Sequence, residues 1–436
     1  MSASLRRTLP VHVAAPRRLP VLGQVRDVDR VARPRYVVWE VTLRCDLACK
    51  HCGSRAGRAR EGELDTAEAI DLVAQLAALG TEEITLIGGE VYLRDDWVQL
   101  VRAIRGHGIV CSIVTGGRAF SLDRARAAKD AGVQSVGVSI DGLEESHDRV
   151  RGLGSFRAAM ETLASLEKVG LRRAVNTQIH RRNLREAPAL LERLIGTGIY
   201  GWQVQLTVAM GRAADDADLL LEPFQMLEVV PMIAGLKARC DEAKIRLWPG
   251  SNVGYFGPHE SVLRPHRRDG HGDSCPAGRS GMGVEANGDI KGCPSLPADY
   301  VGGNVREQPL RAIWERADPV RFNRGRTVDD LWGYCRDCYY NEECLGGCTW
   351  TSHVLFARRG NNPYCHHRAI ELLREGKRER LVQVERPAGG FFDHGRFELV
   401  VEAWPDAARA QAERIVLQGA GFLEPEAAEP AQEIAS

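Results

Sequence analysis

From Tyr36 onward, apolar and polar positions alternate in short β-branched runs bounded by turn residues. That is the period of half-buried strands. Six runs read as strands: 36–42, 84–88, 109–115, 134–140, 173–180 and 202–208. Between them the period lengthens to that of a helix. The first helix starts at Asp65, where Glu68 three residues on completes a capping box, and it ends at Gly80. Its apolar positions Ile70, Val73, Leu76 and Ala77 share a face. Another starts at Ser155, aligns Phe156, Ala159, Leu163 and Leu166, and stops at Gly170. Further helices fit 96–106, 121–131, 184–195 and 222–243. Strands and helices in strict turn predict a parallel sheet, and right-handed crossovers curl it toward a barrel. Six such units make about three quarters of the eight-unit barrel. The fold class is therefore α/β, a partial (β/α)6 TIM-like barrel whose wide mouth carries the loops after each strand.

Near residue 250 the pattern changes. Gly, Pro, Cys and Arg rise, and long apolar runs become few through about 368. Burial alone is not expected to hold this segment, and bound metal would supply the missing stability. Beyond it come a helix candidate (Ala369–Glu375), a strand (Arg396–Ala403) and a second helix (Ala407–Leu417). The expected organisation is an arm over 1–35, the barrel over 36–250, a cysteine-rich domain over 251–368, an extension over 369–424 and a disordered tail over 425–436.

Composition narrows the possibilities. A chain of 436 residues exceeds one ordinary core. Lys+Arg and Asp+Glu both total 58, so the formal charge is zero and no broad footprint for nucleic acid is expected. Arg6, Arg7, Arg17 and Arg18 read as part of a solvated tail. No apolar run reaches the ~20 residues of a membrane span, and the N-terminus lacks the core of a signal peptide. A cytoplasmic location without membrane attachment is expected. Disulfides are rare there, so twelve cysteines read as metal or cluster ligands.

Two cysteine sets carry the chemistry. Cys45, Cys49 and Cys52 form C-x3-C-x2-C directly after the first strand. A cubane iron–sulfur cluster normally takes four thiolates, so this set leaves one iron open to a ligand that is not protein. Gly88-Gly89-Glu90 ends the second strand; two glycines admit close backbone approach, and the carboxylate can bind an ammonium group. In the second half, Cys275, Gly288 and Cys293 precede Cys335-x2-Cys338-x5-Cys344-x3-Cys348, with Cys365 after a further gap. Cys111 and Cys240 read as buried small apolar residues.

Together, C-x3-C-x2-C and GGE resemble the radical S-adenosylmethionine (SAM) enzymes. That resemblance implies a 4Fe–4S cluster on Cys45, Cys49 and Cys52, with its open iron chelated by SAM and Gly88, Gly89 and Glu90 against the methionine amino group. It implies reductive cleavage of SAM to a 5′-deoxyadenosyl radical that takes a hydrogen atom from substrate. Ser139 and Asn176 at later strand ends are candidates to hold the nucleoside, with Asp141, Gln178, Gln205 and Leu206 behind them. His51 stands where the family often has an aromatic residue, and Val91 where it often has Pro. The later cysteines resemble the SPASM domain, which binds two auxiliary 4Fe–4S clusters. Carried over, Cys335, Cys338, Cys344 and Cys365 hold the outer cluster, and Cys275, Cys293 and Cys348 the inner one. The inner set is one ligand short; a substrate group, Cys240 or His271 could complete it.

The resemblance implies three clusters, SAM, a reductant such as flavodoxin or ferredoxin, and oxidative modification of a ribosomally made precursor peptide. Some 35 residues precede the first strand, too few for the family's usual peptide-recognition module, so a separate recognition protein or the 369–424 segment would take that role. Alternatives are a sulfatase-type protein maturase, a small-molecule radical SAM enzyme, an iron–sulfur electron carrier or sensor, and a zinc-stabilised binding module. No catalytic acid or base is assigned.

Overall fold

The alternating runs become neighbouring strands of one sheet. In this computed structural model, which describes residues 31–254, 256–265 and 275–424, the strands are β1 (Tyr36–Glu40), β2 (Glu83–Ile87), β3 (Val110–Thr115), β4 (Ser135–Ser139), β5 (Arg172–Ile179) and β6 (Gly201–Leu206). They pair in parallel in chain order. Helices cross between them: Thr66–Ala78, Trp97–Gly106, Leu122–Ala131, Ser155–Lys168 and Ala187–Ile195. Asp65 caps the first, and its capping box with Glu68 closes in both directions. Leu72, Val73 and Leu76 from that helix and Val37, Ile84 and Leu86 from the sheet are all fully buried.

The sheet is wider than six strands. β7 (Arg246–Pro249) adds a seventh parallel strand beside β6. On the other edge, β8 (Gly281–Val284), from the cysteine-rich segment, pairs in parallel with β1. It is followed by antiparallel β9 (Asp289–Lys291) and β10 (Gly303–Asn304). The sheet thus runs without a break from barrel into cysteine-rich segment. That segment also has a core of its own, with Ile290, Leu310, Ile313, Trp314, Val320 and Tyr364 buried. Apolar burial therefore contributes to this segment beside whatever a bound metal would add.

β8 escapes the sequence pattern because it is half glycine. A Cβ at Gly283 would overlap the backbone of Cys293 and Pro294, so the residue is small to admit that loop. In the extension, helices His366–Arg374 and Asp406–Gln418 flank a hairpin of β11 (Lys377–Glu385) and β12 (Arg396–Ala403). β11 was not expected. Its Arg378 and Glu379 are buried as ion pairs with Glu402 and Arg368, so a strand with buried positions reads as polar.

One helical run, Ala217–Glu242, is long and apolar enough to cross a membrane, a feature the sequence reading missed; 83% of its apolar window is buried within the fold. The expected tail, His271 and residues 1–30 of the expected arm, with Arg6, Arg7, Arg17 and Arg18, lie outside the described residues.

Candidate active site

The end of β1 and the end of β2 are laced together where the first cysteine set begins. The Gly89 N–H donates to the carbonyl of Thr42 (2.6 Å) and the Glu90 N–H to that of Arg44 (2.8 Å). A Cβ at Gly89 would overlap the Arg44 carbonyl and sit 2.8 Å from the Cβ of Cys45. Gly88 is pressed against Thr42 in the same way. Glycine is needed here for contact, not for an unusual dihedral.

Cys45, Cys49 and Cys52 line one cavity of about 520 Å³ together with Gly88, Gly89, Glu90, Ser139 and Asn176. Ser139 and Asn176 are register partners on β4 and β5, and Gln203 continues the row on β6. Cys275, Cys293 and Cys348 line the same cavity. Cys335, Cys338, Cys344 and Cys365 line a second one, walled by Phe256, Tyr340 and Arg368. Cys111 and Cys240 are fully buried and line neither.

Buried thiols are poor donors unless a cation compensates. Burial pushes Cys45 and Cys293 to about 12, and Cys49 and Cys348 to about 11. A bound metal inverts that penalty by deprotonating the thiol. The donor sets therefore fit metal clusters: six thiols line one cavity and four the other.

Residues 39–194 match the radical SAM superfamily, and residues 275–339 match SPASM, an iron–sulfur cluster-binding domain. The AdoMet-dependent heme synthase of Methanosarcina barkeri is 30% identical over 351 residues, spanning 77% of this chain and 97% of that protein. The Fe-coproporphyrin III synthase of the same organism is 36% identical, spanning 76% and 87%. The chain belongs to the radical SAM/SPASM family.

It is accordingly an enzyme of iron–sulfur clusters and SAM. The PqqA peptide cyclase of Bradyrhizobium diazoefficiens is 27% identical, spanning 82% of this chain and 91% of that protein. Among solved structures, Streptococcus suis SuiB bound to S-adenosylmethionine shares the fold with a TM-score of 0.60 at 15% identity, covering 77% of this chain and 76% of that one.

Within this radical SAM fold, a buried charge network holds the three-cysteine loop. His51 donates from Nε2 to Asp141 Oδ2 at 2.6 Å, and Arg151 Nε donates to the same oxygen at 2.5 Å. The Gln178 N–H donates to Asp141 Oδ1 (2.9 Å). Burial would raise the Asp141 carboxyl, but the Arg151 guanidinium and the His51 ring hold it well below the usual carboxylate range. Arg151 also lies 3.9 Å from Cys49 Sγ. Asp141 itself does not line the cavity, so its place is behind the loop, not against a ligand. Leu206 likewise turns into the core.

Sequence reasoning missed Arg212. From beyond β6, it donates to the carbonyls of Cys49 (2.7 Å) and Ala56 (3.1 Å). Its only signal was an arginine after a strand end. Glu90 is buried and accepts from Thr115 Oγ1 (2.5 Å) and the Gly116 N–H (2.6 Å). Burial lifts its carboxyl to about 7, so a neighbouring ammonium would favour its charged form.

Arg326 was also missed. It is buried, within reach of the charge of Cys275 from one cavity and Cys344 from the other. Its Nη1 donates to Thr349 Oγ1 (3.1 Å), but its Nε and Nη2 have no partner. A buried cation with unused donors fits an anionic neighbour.

Proposed function

We propose that this radical SAM enzyme oxidatively modifies a ribosomally made peptide, by cross-linking or by side-chain oxidation. The observation that carries this reading is the cavity lining. Amide side chains Asn176, Gln178, Gln203 and Gln205 line it, and among the described residues its only basic side chain apart from the His51 ring is Arg151, already paired with Asp141. Neutral amides suit a peptide backbone. A substrate rich in carboxylates would want free cations there. The structure of SuiB with its precursor peptide SuiA, at a TM-score of 0.58, adds support from the fold.

In this reading Cys45, Cys49 and Cys52 hold the SAM-binding cluster. Gly88 and Gly89 let the methionine end approach, and Glu90 takes its amino group. Ser139 and Asn176 orient the nucleoside from the strand ends. Cys275, Cys293 and Cys348 hold an inner auxiliary cluster, and Cys335, Cys338, Cys344 and Cys365 an outer one, three 4Fe–4S clusters in all. When bound, the first cluster supplies the electron that cleaves SAM, and the auxiliary clusters can accept the electron that a new bond releases. Flavodoxin or ferredoxin is the reductant, and a separate protein can present the peptide.

Anaerobically reconstituted protein should carry about twelve iron, four per cubane. With reductant and SAM it should release 5′-deoxyadenosine. With a candidate precursor peptide as substrate, it should yield a product lighter by two hydrogens per cross-link. Release of 5′-deoxyadenosine without any change in that peptide would sink the substrate assignment and leave the enzyme class standing. A second reading, a tetrapyrrole substrate, is favoured by the 30% and 36% identity to the two Methanosarcina enzymes. It predicts turnover of an iron porphyrin in the same assay.

A further inference from the structure

Outside both cysteine cavities, three metal-ligating side chains converge from separate elements. Asp299 lies in the short turn Ala298–Tyr300, His353 in helix Thr349–Phe356, and His394 in the loop between β11 and β12. One donor atom from each lies within 4.8 Å of the other two. His353 is buried, His394 half-buried and Asp299 exposed. The two rings stand edge to face with centroids 5.3 Å apart.

The second nitrogen of each ring is already engaged. His394 Nδ1 lies 2.7 Å from the Gly395 carbonyl, to which it can only donate, so Nε2 keeps its lone pair. His353 Nδ1 lies 3.1 Å from the Tyr300 hydroxyl, which can accept from it. His353 Nε2 and Asp299 Oδ2 are 3.0 Å apart. A ligand histidine whose far nitrogen is hydrogen-bonded is the usual pattern at metal centres. Two imidazoles and one carboxylate suit zinc and its d-block neighbours, not magnesium or calcium.

We propose that Asp299, His353 and His394 bind one divalent d-block cation, distinct from the clusters, which ties the loop between β11 and β12 to the cysteine-rich segment. Three protein ligands leave the remaining positions to water. An open cleft of about 560 Å³, lined by Asp299, Tyr300 and His353, gives the ion an entry path. Arg321, Arg324 and Arg359 also line that cleft; Arg359 is met by Asp330 at 3.0 Å, and Arg324 donates to the carbonyls of Gly278 and Trp314.

The tied loop matters to the active cavity. It carries Phe392, buried with Val208, Met210 and Val354 against Trp350. Trp350 lines the cavity. The next residue, Asp393, pairs with Arg55 just beyond Cys52. An ion on His394 would hold one wall of the site.

The test uses holoenzyme with its clusters intact, dialysed against EDTA and titrated with Zn²⁺. Wild type should take up one zinc beyond its cluster iron. His394→Ala and Asp299→Asn should bind it at least about 10-fold more weakly, with iron content and SAM cleavage unchanged. Zinc should also slow proteolysis within 386–395 in wild type and not in His394→Ala. Equal zinc uptake by wild type and both variants overturns the site. Zinc uptake without any change in proteolysis overturns its role in holding the loop.

Discussion

The barrel mouth and the outer cysteine cavity treat buried charge differently. Around Cys45, Cys49 and Cys52, the buried cations are matched by protein: Arg151 shares Asp141 with His51, and Arg212 is spent on loop carbonyls. Between and around the auxiliary sets, cations are buried with donors to spare. Arg326 leaves Nε and Nη2 unpaired, and Arg368, though paired with Glu379, leaves Nε unpaired. The comparison teaches that the first loop is shaped by the polypeptide before any cluster arrives. The auxiliary region is complete electrostatically only with an anionic guest. A cluster that exchanges ligands with SAM gains from a preformed seat, while clusters that stay in place can serve as part of the structure.

The difference can be broken at several points. Replacing Cys45, Cys49 or Cys52 with Ala should abolish 5′-deoxyadenosine release, whereas Cys335→Ala or Cys338→Ala should spare it and stop product formation. Chromatography of the two assays side by side separates these outcomes, and loss of SAM cleavage in both sets would erase the division of labour.

Next in size, Asp141→Asn or Arg151→Met should destabilise even cluster-free protein by about 3–5 kcal/mol, because each leaves a buried partner uncompensated. Denaturant unfolding of the apo protein measures this. Arg326→Met should do the reverse there: apo stability should hold or rise by about 1 kcal/mol or more, since an unmatched buried charge is removed. In the same variant, reconstituted auxiliary iron should be lost faster than in wild type. If Arg326→Met weakens the apo protein as Asp141→Asn does, the contrast between regions fails.

Acid should act on the barrel side through His147. Its Nδ1 accepts from the Asp141 N–H (3.1 Å), a bond open only to the neutral ring, and burial, then Arg151, lowers its pKa to about 4. A depressed base contributes stability above its unfolded value near 6.5, and that contribution drains as pH falls toward about 4. The slope should be no more than about 1.4 kcal/mol per pH unit, and His147→Asn should flatten it in a pH series of unfolding curves. The smallest effect belongs to the rim. Asp393→Asn removes a part-buried partner of Arg55 and should cost about 1 kcal/mol, with Asp215 still holding the guanidinium.

Much of this was legible in one dimension, for reasons that can be named. The six strands and their helices announced themselves because one periodic face is buried, and the cap at Asp65 acts over three residues. The two cysteine sets were legible because their short spacings stand out along one stretch of chain. What stayed hidden involves partners far apart in the chain. Arg212 reaches the cysteine loop across 163 positions. Arg378 and Glu379 made β11 look exposed because ion pairs, not apolar surface, allow their burial.

Residue order alone determined the family, the two cysteine sets and the parallel barrel, since each rests on local spacing or on a repeating period. Folding in three dimensions decided which cysteines share a cavity, that β8 joins the barrel beside β1, and which buried charges are answered by protein. Those outcomes depend on distances between remote segments, and electrostatic balance in a low-dielectric interior is set by neighbours in space.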